Sequence, residues 1–596
     1  MEAIRNGSNP DLYPNTDWYD LVYRNSAPIQ EHNVSVSGGG QTRYFVSGTF
    51  FNQSSLIPDQ DLSRYSVRAN TERDFSDKFR LGTNISYVAD NWSRQGSFSI
   101  TDLDRMTPLT VARHSDGTWG TVTGGIESSV LAENNPLRKL AEYGRSNRQT
   151  SRLNGSVNAQ YTPIEGLVLN GIVSYNKYDY NSATFDNKVP RLIGFISKQP
   201  LSGTDKSINQ LSTNWTTSST LMNQFFATYS KTIDVHDFSV MAGTQYETYQ
   251  YKSLQASRKE FPSNNLDVID AGSSKAENLG NSGSIQERAF LSQFGRINYS
   301  YAGKYLLEAN VRFDQSSQFP KDNRLGVFPS FSGAWRISEE DFMQEIDWIT
   351  NLKLRASWGK LGNVSNVGYY DYFDALAIGA SGYIMNGSKQ DGVWPAKQSN
   401  PLLSWESVTM TNLGLDAAFL NNKFDVQVDV FNKVTNDILL NMPKPYELGL
   451  ASGDAASTNA GVVTNKGIEF IANYRDQIGD FSYNISGNFS KIWNDVTDLN
   501  GQDDQISSLW IYRVGEAIGS FYGYKAEGLF TSEEEIKNWA KQDAQTKPGD
   551  IKYADINGDK VINAEDRTIL GNDVPYFTYG LNLNAAYKGL DLSIQG

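Results

Sequence analysis

The sequence predicts an all-β fold, a transmembrane antiparallel β-barrel, and three observations carry that expectation. Only 39% of the 596 residues are hydrophobic, yet aromatics reach 12% and glycine numbers 50, which suits a large sheet with one polar and one apolar face. Hairpins of strictly alternating character recur along the chain. Their connections are short at one end and long at the other, the arrangement of barrels that cross a bilayer. No run of about 18 apolar residues exists, so no transmembrane helix is predicted. The opening MEAIRNGSNP has neither a basic nor an apolar segment, so no secretory signal is read there.

The first clear hairpin is SRYSVRANTERDFSDKFRLGTNISYVAD. Tyr65, Val67 and Ala69 alternate with Ser66, Arg68 and Asn70, and after a turn at Ser76 to Lys78 the residues Phe79, Leu81, Thr83, Ile85 and Tyr87 alternate with Arg80, Gly82, Asn84 and Ser86. The same unit recurs in RLNGSVNAQYTPIEGLVLNGIVSY, FFATYSKTIDVHDFSVMAGTQY, FGRINYSYAGKYLLEANVRF, LGLDAAFLNNKFDVQVDVF and IEFIANYRDQIGDFSYNISGNF. Short turns are read at 163–166, 234–237, 302–304, 421–423 and 476–480, and long connections at 89–150, 176–220 and 491–575. The pattern yields about 18 strands of about 9 to 12 residues, the length a tilted strand needs to cross a bilayer. Tyr87, Tyr161, Tyr175, Tyr301, Tyr474 and Tyr587 are placed as interfacial girdles. A soluble solenoid or propeller would show a fixed period, and none is present.

Charge and residue usage exclude other classes. There is no cysteine, so no disulfide framework and no thiolate metal site. The formal net charge of −14 and the lack of clustered Lys and Arg argue against nucleic acid as a partner. His32 is read just before a strand, His114 in a long loop and His236 in a tight turn, none in a triad context. The acidic runs at 339–341 and 533–535 have no matched nucleophile and base. SEEDF reads as a helical turn capped by Ser338, and TSEEEIKNWA as a capping box begun by Thr531 or Ser532. No enzyme and no organic cofactor is expected.

Two features are candidates for binding. In DINGDKVINAED, Asp555, Asn557, Asp559 and Asp566 place side-chain oxygens at the spacing of a calcium loop, with the Val561 carbonyl as a fifth ligand, so structural Ca2+ is expected. Lys560 stands where such loops have glycine, and Asp566 is shorter than the usual glutamate. An Asx-rich turn is the competing reading. The loop aromatics Trp119, Trp215, Trp394, Trp405 and Trp510 are candidates to stack on sugar rings or hold peptide side chains, against packing or girdle anchoring.

Five ordered blocks then carry a resemblance: YPNTDWYDLVYRNSAPIQEHNVSVSGG, YLLEANVRFDQSSQFPKDNRLGVFPSFSGAWRISEEDF, LKLRASWGKLGN, VGEAIGSFYGYKAEGLF and PGDIKYADINGDKVINAEDRTILGNDVPYFTYGLNLN. Together they resemble the SusC/RagA family of TonB-linked outer-membrane proteins of Gram-negative cells. The resemblance implies a 22-stranded barrel that imports oligomeric glycans or peptides, closed within by an N-terminal plug driven by the TonB complex and outside by a SusD-like lipoprotein. Residues 1–596 are then expected to be barrel lacking plug and final strands, with 491–575 an external loop holding the calcium-like segment. An adhesion or protein-secretion barrel is the alternative, and a neighbouring lipoprotein-lid gene discriminates between them.

Overall fold

The computed structural model describes residues 2–96, 99–397, 399–441 and 457–596. Among the described residues eighteen strands form one antiparallel sheet. In chain order they are β1 Ile29–Gly38, β2 Thr42–Ser54, β3 Gln60–Ser76, β4 Phe79–Gln95, β5 Gly144–Ile164, β6 Leu167–Asp186, β7 Gln210–Ile233, β8 His236–Lys259 and β9 Leu279–Tyr301. The series continues with β10 Tyr305–Ser316, β11 Leu325–Arg336, β12 Ile349–Asn363, β13 Glu406–Phe419, β14 Phe424–Asn441, β15 Ser457–Ile478, β16 Phe481–Asp498, β17 Phe577–Tyr587 and β18 Leu590–Gln595. Among the described residues no helix is long and apolar enough to cross a membrane, which says nothing about strands that do.

The alternation settles each strand's register, because a slip of one residue would turn every apolar side chain to the wrong face. Tyr65, Val67, Ile85, Val157 and Val173 are 42–54% exposed on one face, as lipid-facing residues are when no lipid is present. The tyrosines mark that band. Phe79 pairs with Tyr161 beside the short turns, and Tyr87 stands eight residues further along β4. At about 3.3 Å per residue that is about 26 Å along the strand, close to the height of a lipid-facing belt. Tyr175 pairs with Gly155, two register positions from the partner of Tyr87.

The structure differs from the expected pattern in three details. The strands run to 24 residues in β7 and β8, because pairing in water needs no apolar face and the ladder continues beyond the belt; β16 therefore reaches Asp498, and the connection read from Lys491 begins at Leu499. His32 lies within β1 and His236 opens β8, where its Nδ1 is 2.9 Å from the Tyr299 hydroxyl. Ser338 is not a cap: it sits inside the turn Ile337–Glu339, and the hydroxyls and amines around it go to Glu340, which accepts from Tyr305, Trp335 and Lys304. Ser532, in contrast, does cap Glu533–Asn538, accepting from the Glu535 amide.

The chain divides into two compact units, Met1–Phe225 with Gln245–Ala289, and Phe226–Thr244 with Phe290–Gly596. In each, small cores lie in the long connections and at the strand ends that lead into them. In the first, Trp18, Val22, Leu103 and Met106 cluster, as do Phe185, Leu211 and Phe261. In the second, Phe319, Val367 and Leu403 form one cluster and Val463, Val496 and Leu499 another.

Candidate functional site

The long connections of the first unit are locked to one another by buried polar side chains, and this gives the loop end a defined surface. Asn135 caps the helix Pro136–Glu142 by accepting from Leu137 and Arg138, and its amide donates to the Ala112 carbonyl. That cap aims Arg138, whose side chain is fully buried. Its Nε donates to Glu142 at 2.9 Å, Nη1 to the Thr204 carbonyl at 2.7 Å and Nη2 to the Pro190 carbonyl at 2.7 Å. One guanidinium thus ties residues 96–143 to residues 187–209. Asn209 extends the lock to the next connection, giving to the Phe261 carbonyl and taking from the Phe261 amide, while Asn264 pairs in the same way with both backbone groups of Lys188.

The N-terminal segment is pinned to the same assembly. The Trp18 indole donates to the Thr107 carbonyl, and Asp11 accepts from both the amide and the hydroxyl of Ser115. Burial pushes the Asp11 carboxyl up, but the Ser115 bonds and nearby His114 hold it below its ordinary value. His114 is buried, stacked on Phe195 at 4.0 Å, with Nε2 accepting from the Thr121 amide at 3.0 Å. Burial pushes its pKa down, outweighing the attraction of Asp11; because Nε2 accepts from the Thr121 amide, the ring's proton is assigned to Nδ1, which faces Asp11 at 3.5 Å.

The connection 499–576 has its own small sheet of Gln505–Ile506, Trp510–Tyr512, Ser520–Tyr524 and Arg567–Gly571. Within it the calcium-like loop closes on its own amides. Asp555 accepts from Gly558 and Lys560, Asp559 from Val561 and the Asn557 side chain, and Asp566 from Ile556 and Asn563. Asp566 is fully buried, and its backbone donors, Asn563 first, hold its pKa low. Lys560 adopts the left-handed conformation, φ 67°, that glycine usually supplies at this place. Each carboxylate oxygen keeps a lone pair beyond the amide it satisfies, so the donor set is compatible with a hard cation. Among the described residues no three acidic or histidine side chains are already gathered around one point.

The tryptophans have neighbours of their own. Trp119 donates to Glu142 at 2.7 Å beneath the Arg113 guanidinium, 3.7 Å from the ring centre. Trp405 packs on Phe319 and Phe328 and donates to the Arg324 carbonyl, and Trp510 lies 4.6 Å from Phe521. Trp394 is in the loop strand Ser388–Lys397, its side chain outside the described residues. Trp215 points to the apolar face of β7, 43% exposed, at the parity of Leu221 and Phe225.

Alternation sends polar residues to the opposite face, the lumen side of a transmembrane barrel. In the first unit that face holds a cavity of about 340 Å³ lined by Arg68, Asn70, Asn84, Asn154 and Asn176. In the second, Arg355 on β12 reaches across Gly414 on β13 to Asp429 on β14, two bonds of 2.7 Å, and also binds Asp416. A Cβ at Gly414 would stand 2.5 Å from that guanidinium. The arginine locks and this row were not legible in advance: i, i+2 alternation marks a face, but which strands become neighbours across it depends on register.

Comparison with known proteins fits this architecture. The family described as TonB dependent receptor-like, beta-barrel, matches residues 102–596. TonB-dependent receptor P3 of Formosa agariphila is 29% identical over 97% of this chain and 58% of its own length, and TonB-dependent receptor SusC of Bacteroides thetaiotaomicron is 25% identical over 97% and 58%. The solved structure of the RagAB peptide transporter superposes with a TM-score of 0.79 at 25% identity, covering 98% of this chain and 63% of that one. The chain thus spans about three fifths of the length of these relatives. With its alternating strands, short turns and long loops, it belongs to the TonB-dependent-receptor-like β-barrel family of the outer membrane.

Proposed function

We propose that the protein of which this chain forms the wall and long loops is an outer-membrane nutrient importer of the SusC type, taking up oligomeric glycans or peptides. The observation that carries this reading is the match along nearly the whole chain to RagAB, a peptide transporter, together with the relatedness to SusC. In this reading TonB supplies the energy, a SusD-like lipoprotein covers the loop end, and no chemistry is performed on the cargo. The locked loops suit such a role, because a lid needs a surface that keeps its shape while substrate passes. Trp119, Trp394 and Trp510 are proposed to meet substrate at the loop end, whereas Trp405 serves packing. A strain deleted for the gene should fail to grow on one class of glycan or peptide as sole nutrient; normal growth on all of them would overturn the proposal.

Calcium at the loop Asp555 to Asp566 is proposed as a brace for the connection 499–576. Support comes from the ligand spacing and from Lys560 holding the backbone turn such loops require. Calorimetry on the full-length protein should show calcium binding in the range of about 10⁻⁴ to 10⁻³ M, abolished by the double substitution Asp555→Ala and Asp559→Ala. No calcium heat in the parent, or the same heat in the variant, would leave an Asx-rich turn.

A further inference from the structure

The polar face of the first unit carries four arginines that the fold leaves without acidic partners. Register sets them on adjacent strands: Arg68 of β3 faces Ser86, Arg152 of β5 faces Val88 and Tyr178, Arg148 faces Trp92, and Arg94 of β4 faces Ser146. Several other arginines on the polar face of the sheet are neutralised. Arg43 and Arg80 pair with Glu72 and Asp74, Arg64 with Asp90, and Arg355 with Asp416 and Asp429. Among the described residues Arg68, Arg94, Arg148 and Arg152 make no ion pair and no side-chain hydrogen bond, and Arg94 Nε is buried with no acceptor.

Aromatic rings hold three of these groups. The Arg94 and Arg148 guanidinium groups stand 5.5 and 4.9 Å from the Trp92 ring centre, and Arg152 stands 5.2 Å from that of Tyr178. Cation–π contact through the planar face leaves the N–H edges free to donate, and those edges match an oxyanion bidentately. In a chain of net charge −14, a run of unneutralised guanidinium groups is a local reversal of sign. It lies toward the long-loop end, since Arg94 is the second-last residue of β4. Toward the short turns it gives way to the cavity lined by Asn84, Asn154 and Asn176, with one carboxylate, Glu247. Side-chain amides both donate and accept, as sugar hydroxyls do.

We propose that this patch receives the carboxylate or sulfate groups of an acidic oligosaccharide as it enters from the loop end. The proposal rests on the importer reading and adds a substrate class to it. The test is calorimetry on the full-length protein with an oligogalacturonate, its methyl ester, a sulfated oligosaccharide and an acidic peptide of similar length. The double substitution Arg94→Gln and Arg148→Gln should weaken binding of the uronate or the sulfated ligand at least tenfold and that of the ester less than twofold; Arg148→Lys, which keeps the charge, should lose less. Unchanged heat-modifiable migration on gels establishes that the variants are folded. Equal loss for acid and ester, as expected if the arginines hold another part of the protein, would overturn the inference, as would tighter binding of the acidic peptide. Normal uptake by the deletion strain would instead overturn the importer reading, and this one with it.

Discussion

Replacing Arg138 with alanine tests whether the loop end is held by a single buried cation. The side chain has no solvent exposure and spends its donors on Glu142, the Thr204 carbonyl and the Pro190 carbonyl. Truncation leaves two carbonyls and a carboxylate short of a donor inside a packed site. Breaking a buried ion pair by removing one partner costs about 3–5 kcal/mol, in line with charge-assisted bonds of about 1.5–3 kcal/mol each less what water recovers. The cost falls on opening of residues 187–209, because both carbonyl acceptors are there while β5 and β6 keep their ladder. At tenfold per about 1.4 kcal/mol, amides such as Val189, Leu201 and Lys206, which bond within this connection, should exchange with deuterium about a hundredfold to a few thousandfold faster. Mass spectrometry on outer-membrane vesicles carrying the full-length variant measures this, with β5 amides as the internal standard. Acceleration below tenfold at these amides would refute the claim that Arg138 carries the lock.

Other perturbations read other parts of the architecture. His114 has its folded pKa pushed below the ordinary 6.5 by burial; the unfolded segment binds the proton more readily, so its contribution to stability is complete above pH about 6.5 and lost as pH falls below it. Protection of the Thr121 amide, taken relative to its intrinsic exchange rate at each pH, should therefore fall on acidification, and a His114→Phe variant should lose that dependence. Gly414→Ala should displace the Arg355 guanidinium; in a double-mutant cycle most of its cost, about 1 kcal/mol, should vanish in the Arg355→Met background, and full additivity in gel-shift melting would refute the contact. Cysteine placed at Asn265 should label with an impermeant reagent on whole cells and cysteine at Asp77 should not; the reverse would invert the orientation of turns and loops.

How much of this was legible in the sequence follows from what each signal depends on. The sheet was legible because a lipid-facing strand must alternate, so Tyr65 to Ala69 and Phe79 to Tyr87 announce their faces without knowledge of neighbours. The short turns were legible for the same reason: Ser76 accepts from the amides of Lys78 and Phe79, a purely local device. Strand ends were not. Beyond the belt the outer face meets water and alternation ceases to be required, while backbone pairing continues.

The loop end escaped the sequence reading for a further reason, and it bears on function. Asn135, Arg138, Asn209 and Asn264 each look like an ordinary solvated residue in a polar connection, and only the approach of chain segments far apart in sequence buries the first three and half-buries the fourth. An acceptor set such as Thr204 and Pro190 carries no residue-type signal at all, since every residue has a carbonyl. The same holds for the arginines that lack acidic partners: Arg94 and Arg148 are 54 positions apart in numbering yet stand on neighbouring strands because β4 pairs with β5. In a barrel the lipid side is dictated by a solvent that is the same everywhere, so its pattern is local and repetitive. The lumen and the loops meet particular ligands and particular segments of chain, so their pattern is set by register. The features that distinguish one such protein's cargo from another's therefore lie in the part of the sequence that alternation does not constrain.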